Sequence, residues 1–225
     1  MVASRVVSLV PSATESLLEW GIRPIACTRF CEQPDLRHVG GTKDPAVRDI
    51  VDLAPDLVVL DEEENRREDH DELVASGLAV HVLAVRDLAG LDVQMGALAA
   101  AVGARWEPIG PRPEPEPRRR AWVPIWKRPW MALGEPTYGS AVLRALGLAN
   151  VAAPDGAYPE LDPDAARARG TDVVVAPSEP YPFAERHRSE LARASDDVRF
   201  VDGRDLLWWG DRTHAALDRL RLALA

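Results

Sequence analysis

Five prolines fall within ten residues of this chain: Pro108, Pro111, Pro113, Pro115 and Pro117. Proline lacks a backbone N–H and fixes its own φ, so such a run joins neither a helix interior nor a central strand. It favours extended polyproline geometry, at roughly 3 Å per residue. Any core must therefore be built on either side of it. Just before it, Leu91, Met95, Leu98 and Val102 recur at helical spacing and predict an amphipathic helix. Asp87 stands where a cap belongs and Gly103 where a stop belongs. This predicts an N-terminal part over 1–86, a bridging helix with a proline-rich linker over 87–120 that ends in Arg118-Arg119-Arg120, and a C-terminal part over 121–225.

The two flanking parts read as copies. The first opens with an apolar strand over Val6–Val10, then Ser12 and a helix that runs through Leu17 to Gly21. The second opens with Trp130–Leu133, then Thr137 and a helix that reaches Gly147. Each continues with an Asp-Pro helix start, Asp44-Pro45 and Asp162-Pro163, where Asp caps and Pro fits the first turn. Each then has an apolar strand, over 56–60 and 172–176, a charged helix and a last strand, Val80–Leu83 or Val198–Val201. Short apolar strands alternating with helices predict parallel sheets with right-handed crossovers. The expected fold is α/β: two Rossmann-like lobes joined by a bridging helix, with a ligand cleft between them. One larger doubly wound domain is the alternative that length allows.

A net charge of -9 argues against nucleic acid as a partner. No apolar run is long enough for membrane insertion. Met1–Arg5 leads directly into the first strand with no signal-peptide pattern, which predicts a cytoplasmic protein, or an extracytoplasmic one if an export segment has been removed. Cys27 and Cys31 supply no disulfide framework. With His38 they are three loosely placed metal ligands where zinc wants about four, so no metal site is assigned and both read as small buried residues.

In parallel sheets the loops at strand carboxyl ends carry the site. After the first strand, Ser12 and Glu15 form a capping-box pattern without glycine, and Gly40-Gly41-Thr42-Lys43 is in the wrong order for a phosphate loop. Both disfavour a nucleotide, although the helix start at Ser12 suits an anionic group. Arg29 and Phe30 fall at a strand end; Glu63, Glu64 and Asn65 fall in the next such loop, with Asn65 and Glu68 repeating the capping pattern. In the second part, Trp126 stands beside Lys127 and Arg128, Tyr181 lies in a loop held by prolines, and Trp208-Trp209 precede Gly210. Aromatics gathered on loops suit a flat, apolar ligand.

The order of these motifs resembles the substrate-binding proteins of ABC importers for cobalamin, haem and ferric siderophores, the helical-backbone metal receptors. The resemblance lies in Val6–Glu15 (VVSLVPSATE), Thr28–Cys31 (TRFC), Val39–Pro45 (VGGTKDP), Ala54–Leu60 (APDLVVL), Glu62–Glu68 (EEENRRE), Pro124–Trp130 (PIWKRPW) and Asp202–Gly210 (DGRDLLWWG). Cobalamin-binding members look most similar. The resemblance implies a non-enzymatic, bilobal binding protein for a corrinoid, another tetrapyrrole or a ferric chelate. Ser12, Arg29, Phe30, Glu64 and Asn65 are expected on one side of the ligand, and Trp126, Tyr181, Trp208 and Trp209 on the other. No catalytic residue and no resident cofactor are expected; a metal arrives inside the ligand. The alternatives are a chelatase-like enzyme, which needs two of His38, His70, His81, His187 and His214 to converge, and an interaction module with a closed cleft. The family's bridging helix is longer than this one. Its members also dock on a permease through an acidic residue on each lobe. Those positions align with Arg48, which reverses the charge, and Asp164, which keeps it, and this argues against permease docking.

Overall fold

The computed structural model describes residues 2–111 and 115–225. Pro113, at the centre of the proline run, lies outside the described residues. The chain forms two compact units. The first comprises Met1–Ala84, Gly90–Pro108 and Trp209–Asp211; the second comprises Val85–Ala89, Ile109–Trp208 and Arg212–Ala225.

In the first unit the strands are β1 (Val6–Ser8), β2 (Ala26–Cys27), β3 (Arg37–His38), β4 (Leu57–Asp61) and β5 (Val80–Leu83). They form one sheet in the order β3-β2-β1-β4-β5, every pair parallel. Residues of β1 and β4 are buried throughout, as expected for strands covered on both faces. Helices α1 (Pro11–Glu19), α2 (Val47–Asp52) and α3 (Arg67–Ala75) are the crossovers, and α4 (Leu88–Val102) follows. The core gathers Val7, Leu9, Ala26, Ile50, Val58, Leu60 and Leu73.

In the second unit, β6 (Arg119–Trp122) is followed by β7 (Pro124–Trp126), β8 (Met131–Ala132), β9 (Leu148–Asn150), β10 (Val173–Pro177) and β11 (Val198–Val201). The main sheet runs β11-β10-β6-β9 and is parallel, while β7 and β8 pair as an antiparallel hairpin. Helices α5 (Tyr138–Ala145), α6 (Pro163–Ala168), α7 (Arg188–Leu191), α8 (Gly203–Leu207) and α9 (Thr213–Ala223) complete it. Without the edge strand β3, the first sheet reads β2-β1-β4-β5 and the second β9-β6-β10-β11. Each unit has its first strand inside, its second on one edge and its last two on the other side. The duplication read from the sequence is therefore a shared topology.

Several local expectations are corrected. The first strand of the second sheet is β6, not Trp130–Leu133, which contributes β8 to the hairpin. Arg119 and Arg120 open that central strand, steadied by the Arg119–Asp197 ion pair and by Arg120 N–H on Asp172 Oδ2 at 2.7 Å. Ser12 does not cap α1: Val10 is the N-cap, without a side-chain bond, and Ser12 lies inside the helix. Asn65 does not cap α3, whose N-cap is Arg66. Asp44 does not cap α2, whose N-cap is Ala46, two residues further on; its carboxylate pairs with Arg29 instead. Asp162 does cap α6, accepting Ala165 N–H at 2.8 Å with Pro163 in the first turn. α4 buries Leu91, Met95, Leu98 and Val102, and Gly103 follows at φ 72°. Its outward positions Val93, Ala97 and Ala100 are also apolar, so the helix lacks the polar face of an amphipathic one.

Candidate functional site

All strands of the first sheet are parallel, so the loops after β1, β2, β3 and β4 emerge on one edge. Thr28 caps a short 3-10 turn, Arg29–Cys31, by accepting Phe30 N–H at 3.3 Å. Arg29 N–H reaches Gly40 O at 2.9 Å, and its guanidinium donates to Asp44 Oδ1 and Oδ2 at 2.9 and 3.1 Å. The loops after β2 and β3 are thereby locked together. Gly40 has φ 90°, and a Cβ there would stand 2.4 Å from Asp44 O, so only glycine fits. Phe30 is left 50% exposed, with the Arg29 guanidinium 4.8 Å from its ring centre.

The loop after β4 is organised by two buried side chains. Asp61 Oδ1 accepts the N–H groups of Glu63 and Glu64 at 2.9 and 3.1 Å. Asn65 Oδ1 accepts Asp61 N–H at 2.8 Å, while Nδ2 donates to Thr42 O at 2.9 Å and Leu9 O at 3.3 Å. Asn65 thus ties the ends of β1 and β4 to the loop after β3. Lys43 Nζ adds a bond to Glu63 O. Burial pushes the Asp61 carboxyl up to about 7, with the N–H groups of Glu63 and Glu64 opposing it and the neighbouring Glu64 and Glu63 charges adding to it. Glu64 is exposed and Ser12 is buried in the first turn of α1. The sequence reading missed Asp61; a carboxylate ending an otherwise apolar strand was the available signal.

In the second unit, β7 follows β6, and the loop bearing Tyr181 follows β10, the strand paired with β6. Two carboxyl-edge segments therefore meet. Trp126, 47% exposed, sits edge-on to Tyr181 with centroids 5.7 Å apart. Tyr181 touches Phe183 at 4.7 Å and His187 at 5.5 Å, and Trp130 stacks on Phe183 at 5.9 Å, the rings 7° from parallel. Trp130 also tilts against Trp122 at 5.7 Å, whose buried Nε1 has no hydrogen-bond partner. Lys127 lies 5.7 Å from the Trp130 ring centre and pairs with Glu190 at 2.6 Å. His187 accepts Ala184 N–H through Nδ1, and burial lowers its proton affinity. Trp122, Trp130 and Phe183 were not proposed as site residues from the sequence, although Phe183 and Trp130 lie in the loops that were, and His187 entered only as one of the five histidines weighed for a chelatase.

Trp208 is half-buried, with Arg212 and Arg204 at 5.6 and 5.8 Å from its ring. Trp209 is 6% exposed and belongs to the first unit. There Asp211 N–H reaches Ser16 Oγ at 3.1 Å, and Trp20 Nε1 donates to Asp211 Oδ1 at 3.0 Å. Trp20 is half-buried against Trp106.

Among the described residues no three His, Cys, Asp or Glu are placed to hold a metal ion. No helix there is long and apolar enough to cross a membrane. What the loops offer is exposed flat apolar surface beside guanidinium groups, which suits stacking and carboxylate or amide recognition.

No protein-family model and no curated protein matches the chain in sequence. Solved structures do match in fold. The periplasmic vitamin B12 binding protein BtuF of Vibrio cholerae superposes with a TM-score of 0.79 at 18% identity, covering 99% of this chain and 96% of that one. The chain has the fold of these periplasmic binding proteins. The periplasmic heme-binding protein BhuT, solved with two hemes, matches at a TM-score of 0.77 and 20% identity over 100% of both chains. RhuT, a periplasmic heme-binding protein from Roseiflexus sp. RS-1, matches at 0.76 and 19% identity over 98% of this chain and 97% of that one.

Proposed function

We propose that this chain is a non-enzymatic binding protein for a flat metal chelate: a corrinoid, another tetrapyrrole or a ferric chelate. The observation that carries this reading is the exposed aromatic surface on carboxyl-edge loops, Phe30 beside Arg29 in one unit and Trp126 on Tyr181 in the other. Solved proteins of the same fold that bind vitamin B12 and heme support it. The proposed contacts are Ser12, Arg29, Phe30 and Glu64 in the first unit and Trp126, Tyr181 and Trp208 in the second. Asn65 and Trp209 complete the set; Asn65 has both amide N–H groups engaged, so it acts chiefly by holding the loops in place. Tryptophan-fluorescence quenching with cobalamin, cobinamide, haem and ferric siderophores tests the assignment. Saturable quenching by a chelate is expected, and a flat response to all four classes overturns it.

The same reading makes the protein a cytoplasmic carrier or sensor that does not feed an importer. Support comes from the two positions the resemblance assigns to docking. Arg48 is exposed on α2 with the opposite charge, and Asp164 on α6 is paired by both its oxygens with Arg193. A cation facing a permease arginine replaces attraction with repulsion. Fractionation of native cells with a permease pull-down decides this: recovery from the soluble cytoplasm without a permease is expected, and co-purification with one contradicts it.

A further inference from the structure

Cys27 and Cys31 take no part in the proposed contacts, yet they bracket the turn that presents Arg29 and Phe30. Cys27 ends β2 fully buried; Cys31 closes the 3-10 turn at 4% exposure. Cys31 N–H donates to Thr28 O at 3.1 Å, folding the chain back so that both sulfurs pack in one small core with Leu36. The two cysteines are free thiols. Thr28 Oγ1 accepts Phe30 N–H, which leaves its own proton for Cys31 Sγ, 3.3 Å away. Thr14 Oγ1 lies 3.2 Å from the same sulfur on the α1 side. We propose that Cys27 and Cys31 form a redox-modification site, a dithiol that a small hydroperoxide converts to an intramolecular disulfide.

The two thiols have unequal roles. The hydroxyls of Thr14 and Thr28 face Cys31 Sγ and, with the neighbouring Cys27, lower the Cys31 proton affinity, whereas the neighbouring Cys31 and burial raise that of Cys27. Cys31 is therefore the attacking thiolate. It takes the terminal oxygen of the hydroperoxide: the O–O bond breaks, an S–O bond forms, and the remaining alkoxide or hydroxide leaves with a proton from water. Cys27 sulfur then attacks Cys31 sulfur, the S–O bond breaks, and the departing hydroxide takes the Cys27 proton to leave as water. The dithiol loses two electrons and two protons, and the peroxide is reduced. Burial favours an oxidant of hydrogen-peroxide size over a protein disulfide. A small dithiol returns the pair to thiols by exchange.

Arg29 and Phe30 lie inside the five-residue ring so closed, and oxidation replaces the thiolate that Thr28 and Thr14 face by a disulfide sulfur, a weaker acceptor. Ligand affinity should therefore differ between the two redox states; that consequence rests on the proposed function, whereas the disulfide does not. The test treats native protein with hydrogen peroxide, then denatures, alkylates and weighs it. The expected product has lost two hydrogens, takes no alkyl group, yields a linked Cys27–Cys31 peptide, and regains two alkylatable thiols after dithiothreitol. With dimedone present, Cys27→Ser should trap a sulfenic acid at Cys31, and Cys31→Ser should leave Cys27 unmodified. Wild-type protein that still takes two alkyl groups, or that cross-links only between molecules, overturns the proposal, and this readout needs neither variant to fold. Equal chelate affinity of the oxidised and reduced forms overturns the coupling alone; absence of binding by both overturns the proposed function alone.

Discussion

Replacing Asn65 by alanine should destabilise the first unit by several kcal/mol. The side chain donates to Leu9 O and Thr42 O and accepts from Asp61 N–H, all in a buried setting. Each bond is worth about 1 kcal/mol net, and a buried backbone group left unpaired costs about 1 kcal/mol or more beyond that. Three bonds and one orphaned Asp61 N–H together give about 4 kcal/mol. With a urea m-value near the upper end for small proteins, about 3 kcal/mol/M, the unfolding midpoint should fall by about 1 M. Asn65→Asp should be worse, since a carboxylate oxygen would face two carbonyl oxygens where N–H groups now point. Urea unfolding followed by tryptophan fluorescence measures both. An alanine variant within 1 kcal/mol of wild type would refute the view that this amide holds three strand-end loops together.

Three further outcomes follow from the same geometry. The Asp61 carboxyl sits at about 7 in the folded protein, so it binds a proton there more tightly than in the unfolded chain; its contribution is complete below about pH 4 and is lost as pH rises to about 7. Asp61→Asn should thus match wild type near pH 4 and exceed it at pH 8 by up to about 4 kcal/mol, and a pH-independent difference in thermal or urea unfolding would show that the carboxyl does not titrate in this window. Trp126→Ala should weaken chelate binding by about 1 kcal/mol or more with unfolding unchanged, whereas Trp20→Ala should lower stability and leave affinity intact; equal affinities for Trp126→Ala and wild type would remove that ring from the site. Asp162→Ala should cost about 1 kcal/mol through loss of the α6 cap, while Asp44→Ala should leave the start of α2 unchanged and instead free Arg29, a contrast that amide hydrogen exchange across the two helix starts resolves.

Those two aspartates show what the sequence could and could not reveal. Each precedes a proline and a short helix, and by local rules each should cap. Asp162 does so, but α2 starts two residues later than the pattern implies, with Ala46 as N-cap, and Asp44 instead pairs with Arg29, fifteen residues earlier on another strand end. Ser12 and Asn65 also match a local capping pattern, but Ser12 lies inside α1, and the Asn65 amide is claimed by Asp61 N–H and by two distant carbonyls, Leu9 O and Thr42 O. The parallel sheets were legible because strands buried on both faces are apolar at every position, as in Leu57–Leu60 and Val173–Ala176. β6 was not, because its first residues are arginines whose partners, Asp172 and Asp197, lie in the loops just before β10 and β11. Trp126 and Tyr181 could be placed on the same sheet edge from strand order alone. Their contact depends on β6 pairing with β10, which no local pattern encodes. The unequal roles of Cys27 and Cys31 come likewise from Thr14, a residue of α1 that only the fold brings to the sulfur.

Titration calorimetry of the intact, reduced protein with cobinamide, cobalamin and haem tests the central claim most directly. The account predicts saturable binding of at least one of these chelates, weakened when Trp126 and Phe30 are together replaced by alanine in a variant that unfolds like wild type. Heats of dilution alone for every chelate, or binding that the double variant leaves untouched, would contradict it.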